Sequence, residues 1–444
     1  MKKLYYAAAL LLIVLSAFWL QAEPQLWSYD NFFQYRSALV QYSGMLALAL
    51  MTLTMILALR LAFVERLTQG LDKSYRLHKW LGIAALVTGI CHWLLSIIPR
   101  YLVSWEILSR PSRSHGPRNP DSFYAVIQPL RHSAEDIGEW AFYAFVILAT
   151  IALISAIRYS KFKISHRFMS LCYLAIAMHS LILIKHSYWP YPITYICIGL
   201  AVLGSLAALW SLLGLIGKSR QHQARISDLK FSPDNQVLEL QLAAPTWQGH
   251  QSGQFAFLGF AGEPPHPFTI ASTNNKSGQL RFLIKELGDF TSTLKDRIKV
   301  GDKLRVEGPY GYLAFKDPAP QLWIAGGIGI AVFEAILEER QSCKDSPDAI
   351  LYYCTSAPNQ ALIENLIEQA QRARVDLRII NRCKQQATLP ARLSVAQLQA
   401  EVGDLFARKT WFCGPSAFSG DLRRDFAAIH YPLKHFHEEL FEMR

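Results

Sequence analysis

Four histidines stand out by their spacing. His78 and His92 are fourteen residues apart, and His166 and His179 thirteen, each pair flanking an apolar stretch. Fourteen residues span about 21 Å of helix axis and return to within about 40° of the same face. Ionisable groups in a membrane span are functional candidates by default, and imidazole is a common iron ligand. Two helices that each carry an inner and an outer imidazole can clamp two stacked haems, one near each leaflet. The alternative for any single histidine is an interfacial, hydrogen-bonded residue. Four at matched depths on two helices favour ligation. The thirteen-residue spacing is harder, because a straight helix sets His166 and His179 about 140° apart. It requires a wide turn, or His166 placed just before the helix. His115, His132 and His186 read as loop residues on the outer side.

A second group of residues lies in the carboxyl-terminal half. His266-Pro267-Phe268-Thr269 follows the expected strand Gly253-Gln254-Phe255. An aromatic beside a hydroxyl on a barrel strand can pack against and hydrogen-bond a flavin ring. Lys285, Gly288, Phe290 and Thr291 lie in a run that reads as strand, tight turn and helix start. Amides at a helix start suit a pyrophosphate. Gly326-Gly327-Ile328-Gly329 sits between a strand and a helix, where backbone can approach phosphates. Cys413-Gly414-Pro415 closes a late strand at the same sheet edge, and Phe441 is positioned to cover a flavin face. Each piece alone has an ordinary reading as strand, cap or core packing.

The elements that must position these residues divide the chain in two. Its 444 residues are 51% apolar and 18% charged, with mean hydropathy +0.15. That is too apolar for an ordinary soluble enzyme and too polar for a pure membrane bundle. Six apolar stretches, near 4–21, 37–63, 79–98, 138–157, 167–185 and 193–217, are long enough to cross about 30 Å of hydrocarbon. The first resembles a signal peptide cleaved after Ala22, but Leu20 fits that pattern poorly, so it reads as a membrane helix. Four basic clusters, at Lys2-Lys3, Arg66–Lys79, Arg158–Arg167 and Lys218–Arg225, fall on one side and make it cytoplasmic. Arg100, Arg110, Arg113, Arg118 and Arg131 run against this rule in an outer loop.

The net charge of +11 therefore belongs to membrane topology, and no basic run interleaved with aromatics points to nucleic acid. Seven scattered cysteines contain no CxxC pair, which argues against zinc or a dithiol site. After about 220 the pattern becomes alternating strands, then strand–helix–strand. The expected architecture is a six-helix transmembrane bundle over 1–219, an antiparallel β-barrel over 220–318, and a doubly wound α/β domain over 319–444.

Together these residues resemble the ferric reductase and NADPH oxidase superfamily, with a carboxyl-terminal half similar to ferredoxin–NADP reductase. The resemblance implies that the pairs His78/His92 and His166/His179 ligate two b-type haems, the inner between His78 and His166 and the outer between His92 and His179. It implies FAD on His266 to Thr269, Lys285 and Gly288 to Thr291, and NADPH or NADH on Gly326 to Gly329 and Cys413 to Pro415. It also implies Cys413 and Phe441 beside the reacting rings. Two departures stand out: Ala331-Val332 where the family often has Thr-Pro, and Thr355-Ser356 where many members carry an arginine for the 2′-phosphate. Arg382 and Lys384 are the candidate substitutes. The implied activity is electron transfer from cytosolic NAD(P)H across a bacterial inner membrane to oxygen, a ferric chelate or a periplasmic redox partner. The rival readings are a quinone-linked reductase and a transporter with a nucleotide-sensing domain.

Overall fold

The computed structural model describes residues 2–109, 127–154, 159–274, 277–343, 345–381 and 393–439. These form two compact units that meet between Ile216 and Gly217.

The first unit is helical. In hydrocarbon every backbone N–H and C=O needs an internal partner, and a helix supplies it within one segment. The helices are α1 (Lys2–Ala22), α2 (Phe32–Ala58), α3 (Ala62–Thr68), α4 (Leu71–Ser104), α5 (Arg131–Leu153), α6 (Tyr159–Arg167), α7 (Met169–Leu183) and α8 (Pro192–Leu212). Six membrane-length apolar spans result, with α6 and α7 together making the fifth. The chain is thus a multi-pass membrane protein. Its core is lined by small residues, among them Ala38, Ala85, Ala177, Ala201 and Ala208, which let helices approach closely. Buried Glu23, at the end of α1, accepts from Lys185 at 2.7 Å and from the Tyr188 hydroxyl, tying that helix end to the segment between α7 and α8.

Two helices differ from expectation in ways that matter for the histidines. The third span is longer than expected, so His78 lies two turns inside α4 instead of at its edge. The fifth span breaks at Phe168, where a turn separates α6 from α7. His166 therefore sits on a helix of its own, which resolves the thirteen-residue phase problem. His132, expected in a loop, lies in the first turn of α5.

The second unit begins with a six-stranded antiparallel sheet in the order β4-β3-β6-β1-β2-β5. Its strands are β1 (Gln221–Ser232), β2 (Val237–Ala243), β3 (Phe255–Gly259), β4 (His266–Thr269), β5 (Gln279–Lys285) and β6 (Lys303–Tyr310). A bridge between Ile270 and Phe282 brings the end of β4 back to β5 and closes a barrel. Strand β3 starts at Phe255; Gly253, expected within it, lies in the preceding turn. Helix α9 (Asp289–Arg297) follows β5.

A five-stranded parallel sheet comes next, ordered β11-β10-β7-β8-β9. It is built from β7 (Gln321–Gly326), β8 (Ala349–Thr355), β9 (Asp376–Asn381), β10 (Lys409–Cys413) and β11 (Phe436–Glu438). Strands β7 and β8 are buried at every residue, as central strands covered on both faces must be. Trp323, Leu351 and Trp411 face the side holding α10 (Ile330–Gln341) and α11 (Gln360–Ala373). Leu322, Ile350 and Phe412 face α12 (Val395–Val402) and α13 (Ser416–Ala428).

Candidate functional site

In the helical unit the four histidines meet in two pairs. The ring centres of His78 and His166 are 5.9 Å apart, and those of His92 and His179 are 6.3 Å apart. Within each pair the ring planes are steeply inclined, at 68° and 85°. Three of the rings are held from behind. Nδ1 of His78 donates to the Thr54 carbonyl at 2.8 Å, that of His92 to the Val40 carbonyl at 3.0 Å, and that of His179 to the Ala134 carbonyl at 2.8 Å. A carbonyl only accepts, so each Nδ1 carries the proton and each Nε2 keeps its lone pair. Nδ1 of His166 is buried without a hydrogen-bond partner among the described residues, and its ring lies 5.1 Å from Phe162.

Close approach makes this backing possible. A Cβ on Gly138 would lie 2.0 Å from Nδ1 of His179, so only glycine lets α5 bring its Ala134 carbonyl to that ring. These residues fit an iron held between two imidazoles. Metal–imidazole nitrogen bonds of about 2 Å on either side place ring centres about 6 Å apart. The carbonyl contact at Nδ1 is the outer-shell partner that metal-bound histidine usually has.

In the second unit the flavin motif lies on β4, with Thr269 opposite Phe255 and His266 opposite Leu258. Pro267 and Phe268 are half-buried between them. The His266 ring stacks on Phe290 at 4.1 Å and 5°, which joins β4 to the first turn of α9. Oγ1 of Thr291 accepts from the amides of Leu287 at 2.9 Å and Gly288 at 3.2 Å, shaping the turn after Lys285. Space in front of Gly288 is open: a Cβ there meets nothing within 4 Å.

The nicotinamide motifs converge at the carboxyl edge of the parallel sheet, where open α/β sheets bind ligands. Gly326 pairs in register with Cys354, and Ala325 with Cys413. Gly327 and Ile328 continue the loop into α10. A Cβ on Gly329 would lie 2.1 Å from the Cys413 carbonyl, so the loop and Cys413-Gly414-Pro415 pack backbone to backbone. Thr355 is buried at the end of β8, where its hydroxyl accepts from the Ala357 amide, and Ser356 is exposed beside it. Ala331 and Val332 are buried in the first turn of α10.

Burial, and then the nearby Glu439 carboxylate, push the Cys413 thiol up to about 12. A resting thiolate is thereby excluded at neutral pH. Glu439, whose carboxylate lies 2.6 Å from where a Gly311 Cβ would stand, was not singled out from the sequence. Its only sequence signal is an acidic residue two positions before Phe441. Phe441, Arg382 and Lys384 lie outside the described residues.

Two family models match the chain: "ferric reductase like transmembrane component" over residues 43–177, and "FAD-binding domain" over 221–314. The barrel is thus an FAD-binding domain attached to a ferric-reductase-like membrane component. Among curated proteins, the reductase component of propane 2-monooxygenase from Mycolicibacterium smegmatis is 30% identical over 178 residues, 37% of this chain and 51% of that protein. Reductase component 1 of terephthalate 1,2-dioxygenase from Comamonas sp is 22% identical, over 48% of this chain and 66% of that one. The chain spans about half the length of the first curated relatives it matches. Among solved structures, the ferredoxin reductase in carbazole 1,9a-dioxygenase aligns with a TM-score of 0.43 at 18% identity, over 50% of this chain and 69% of that one. The flavohemoglobin from Malassezia yamatoensis aligns with a TM-score of 0.49 at 14% identity, over 95% and 98%.

Proposed function

We propose, on the premise that this chain belongs to the ferric reductase and NADPH oxidase superfamily, that it moves electrons from cytosolic NAD(P)H across a bacterial inner membrane to an acceptor on the far side. The carrying observation is the double histidine pair: two imidazole couples about 6 Å apart, three of the four rings held by a backbone carbonyl.

His78 and His166 hold the cytoplasmic-side iron in this reading, and His92 and His179 the outer one. With two imidazoles per iron no coordination position would stay open, so an acceptor would take electrons at the porphyrin edge. Lys285, Gly288 and Thr291 hold the FAD pyrophosphate, with His266 and Phe290 bracing that turn. Thr269 and Phe268 contact the flavin ring. Gly326 to Gly329, Thr355, Ser356, Gly414 and Pro415 receive the nicotinamide dinucleotide. When bound, the flavin would take the two electrons of one hydride and release them singly, and haem iron would carry these one at a time. In this reading the acceptor is oxygen, giving superoxide, a ferric chelate or a periplasmic redox partner.

The test is an absorption spectrum of the purified full chain before and after NADH or NADPH. A Soret band that shifts on nicotinamide addition, with flavin bleaching, is the expected result. Bound flavin with no Soret band would end the haem reading and favour a nucleotide-sensing transporter.

A further inference from the structure

Between barrel and parallel sheet lies an ion cluster that no motif accounts for. Arg281, on β5, faces two carboxylates one turn apart on α10. One arm of its guanidinium pairs with Glu334, which has no exposed surface. The other donates to Glu338 at 2.5 Å and to the Ala271 carbonyl at 2.7 Å. The second oxygen of Glu338 accepts from the Thr273 amide at 3.0 Å. The Arg281 backbone joins the same segment: its carbonyl accepts from the Ala271 amide at 2.7 Å, and its amide donates to Ser272 Oγ at 3.1 Å.

Both ends of this cluster adjoin candidate binding segments. Ala271 is two residues beyond Thr269, where the flavin strand ends. Glu334 is five residues beyond Gly329, on the helix that starts as the glycine loop ends. We propose that Arg281 is a positioning residue that sets the flavin strand against the nicotinamide loop. The inference rests on the flavin and nicotinamide reading above.

The physical case is geometric. A guanidinium is a rigid planar fork. Engaged by two carboxylates on one helix and by the Ala271 carbonyl just past the end of β4, it blocks both sliding and rotation of α10 against β5. Hydride transfer needs its reacting atoms about 3–3.5 Å apart, and an error of about 1 Å costs on the order of 100-fold in rate. An ion pair this buried is a poor source of stability, because desolvation consumes most of its attraction.

The experiment compares wild type with Arg281→Met and Arg281→Lys in the detergent-solubilised full chain. It reads FAD content, nicotinamide affinity by titration, and the rate of flavin bleaching at saturating NADH or NADPH. Hydrogen exchange of the Thr273 amide is followed in parallel. Arg281→Met is expected to keep FAD, change nicotinamide affinity less than threefold, lower the saturated rate at least tenfold, and speed exchange at Thr273. Arg281→Lys is expected to recover part of the rate. A wild-type saturated rate in Arg281→Met overturns the inference, even if that variant melts lower. If Arg281→Met does not fold, a wild-type saturated rate in Arg281→Lys overturns it. A wild type whose flavin is reduced by dithionite but by neither nicotinamide refutes instead the functional reading on which this one rests.

Discussion

Nε of Arg36 donates to the carbonyl of Leu95 at 2.9 Å, and the same guanidinium donates to the Ser96 carbonyl at 3.0 Å. Leu95 is four residues before Pro99, which lies inside α4 and has no N–H to return. The arginine thus supplies the hydrogen bond that the proline withholds. This is the outermost of three levels at which α2 braces α4. Val40 receives His92 and Thr54 receives His78, so one helix sets both histidines of its neighbour.

Replacing Arg36 with Met should leave the Leu95 carbonyl without a partner in apolar surroundings, at about 1–3 kcal/mol. Pro99→Ala restores a helical N–H to that carbonyl, so in its background the loss should shrink. Thermal midpoints of the four proteins form a double-mutant cycle. Strictly additive shifts would show that Arg36 does not serve the gap left by Pro99.

Gly138→Ala should disturb the outer histidine pair and spare the inner one. The new methyl would fall 2.0 Å from Nδ1 of His179, so the ring must turn and give up the Ala134 carbonyl. Gly199→Ala, in α8, meets nothing within 4 Å and is the control. Low-spin iron resonance and haem content separate the two variants. Equal spectra from both would mean that the approach of α5 does not set His179.

The histidines also make a removal test. His92→Leu and His179→Leu should each lower the ratio of haem to protein by about half and leave nicotinamide-driven flavin reduction intact. His78→Leu and His166→Leu should lower it equally. Four variants with full haem content would remove the ligand assignment.

Much of the architecture was legible in the sequence because it rests on local periodicity. Apolar length marked the six spans, and alternation such as Val237 to Leu242 marked the barrel strands. Gly326 to Gly329 between two apolar runs marked the turn into α10. What escaped was set at long range or without a local signal. The break at Phe168 carries neither proline nor glycine, and only the thirteen-residue spacing of His166 and His179 called for it. The contacts of Arg36 with Leu95, and of Arg281 with Glu334, join residues more than fifty positions apart. Gly138 read as one more small residue in an apolar run, and only the packed helices show what its missing Cβ permits. The pairing of His78 with His166 rests on the break at Phe168, which the thirteen-residue spacing required as a wide turn or a helix start after His166.

Glu334 gives the interdomain cluster a pH signature. Burial raises its carboxyl from 4.5 to about 6, while Arg281 pulls it down and Glu239 and Glu338 push it up. Tyr353 is a further titratable group near it, and burial first, with Glu334 contributing, raises that phenol away from the range concerned. A carboxyl whose folded value lies above its unfolded one binds its proton more tightly in the fold. Its contribution to stability is therefore complete below about 4.5 and is lost as pH rises through about 6. At pH 7 the ionised Glu334 is a net cost of about 2 kcal/mol relative to an unperturbed carboxyl. Glu334→Gln cannot titrate, so wild type should gain stability relative to this variant as pH falls from 7 to 4.5. The measurement is the difference in thermal midpoint between the two proteins across that interval, each at saturating FAD. A difference that stays flat would mean that Glu334 titrates as an ordinary carboxyl, and one that moves against wild type on acidification would mean that Arg281 outweighs burial and holds it below 4.5.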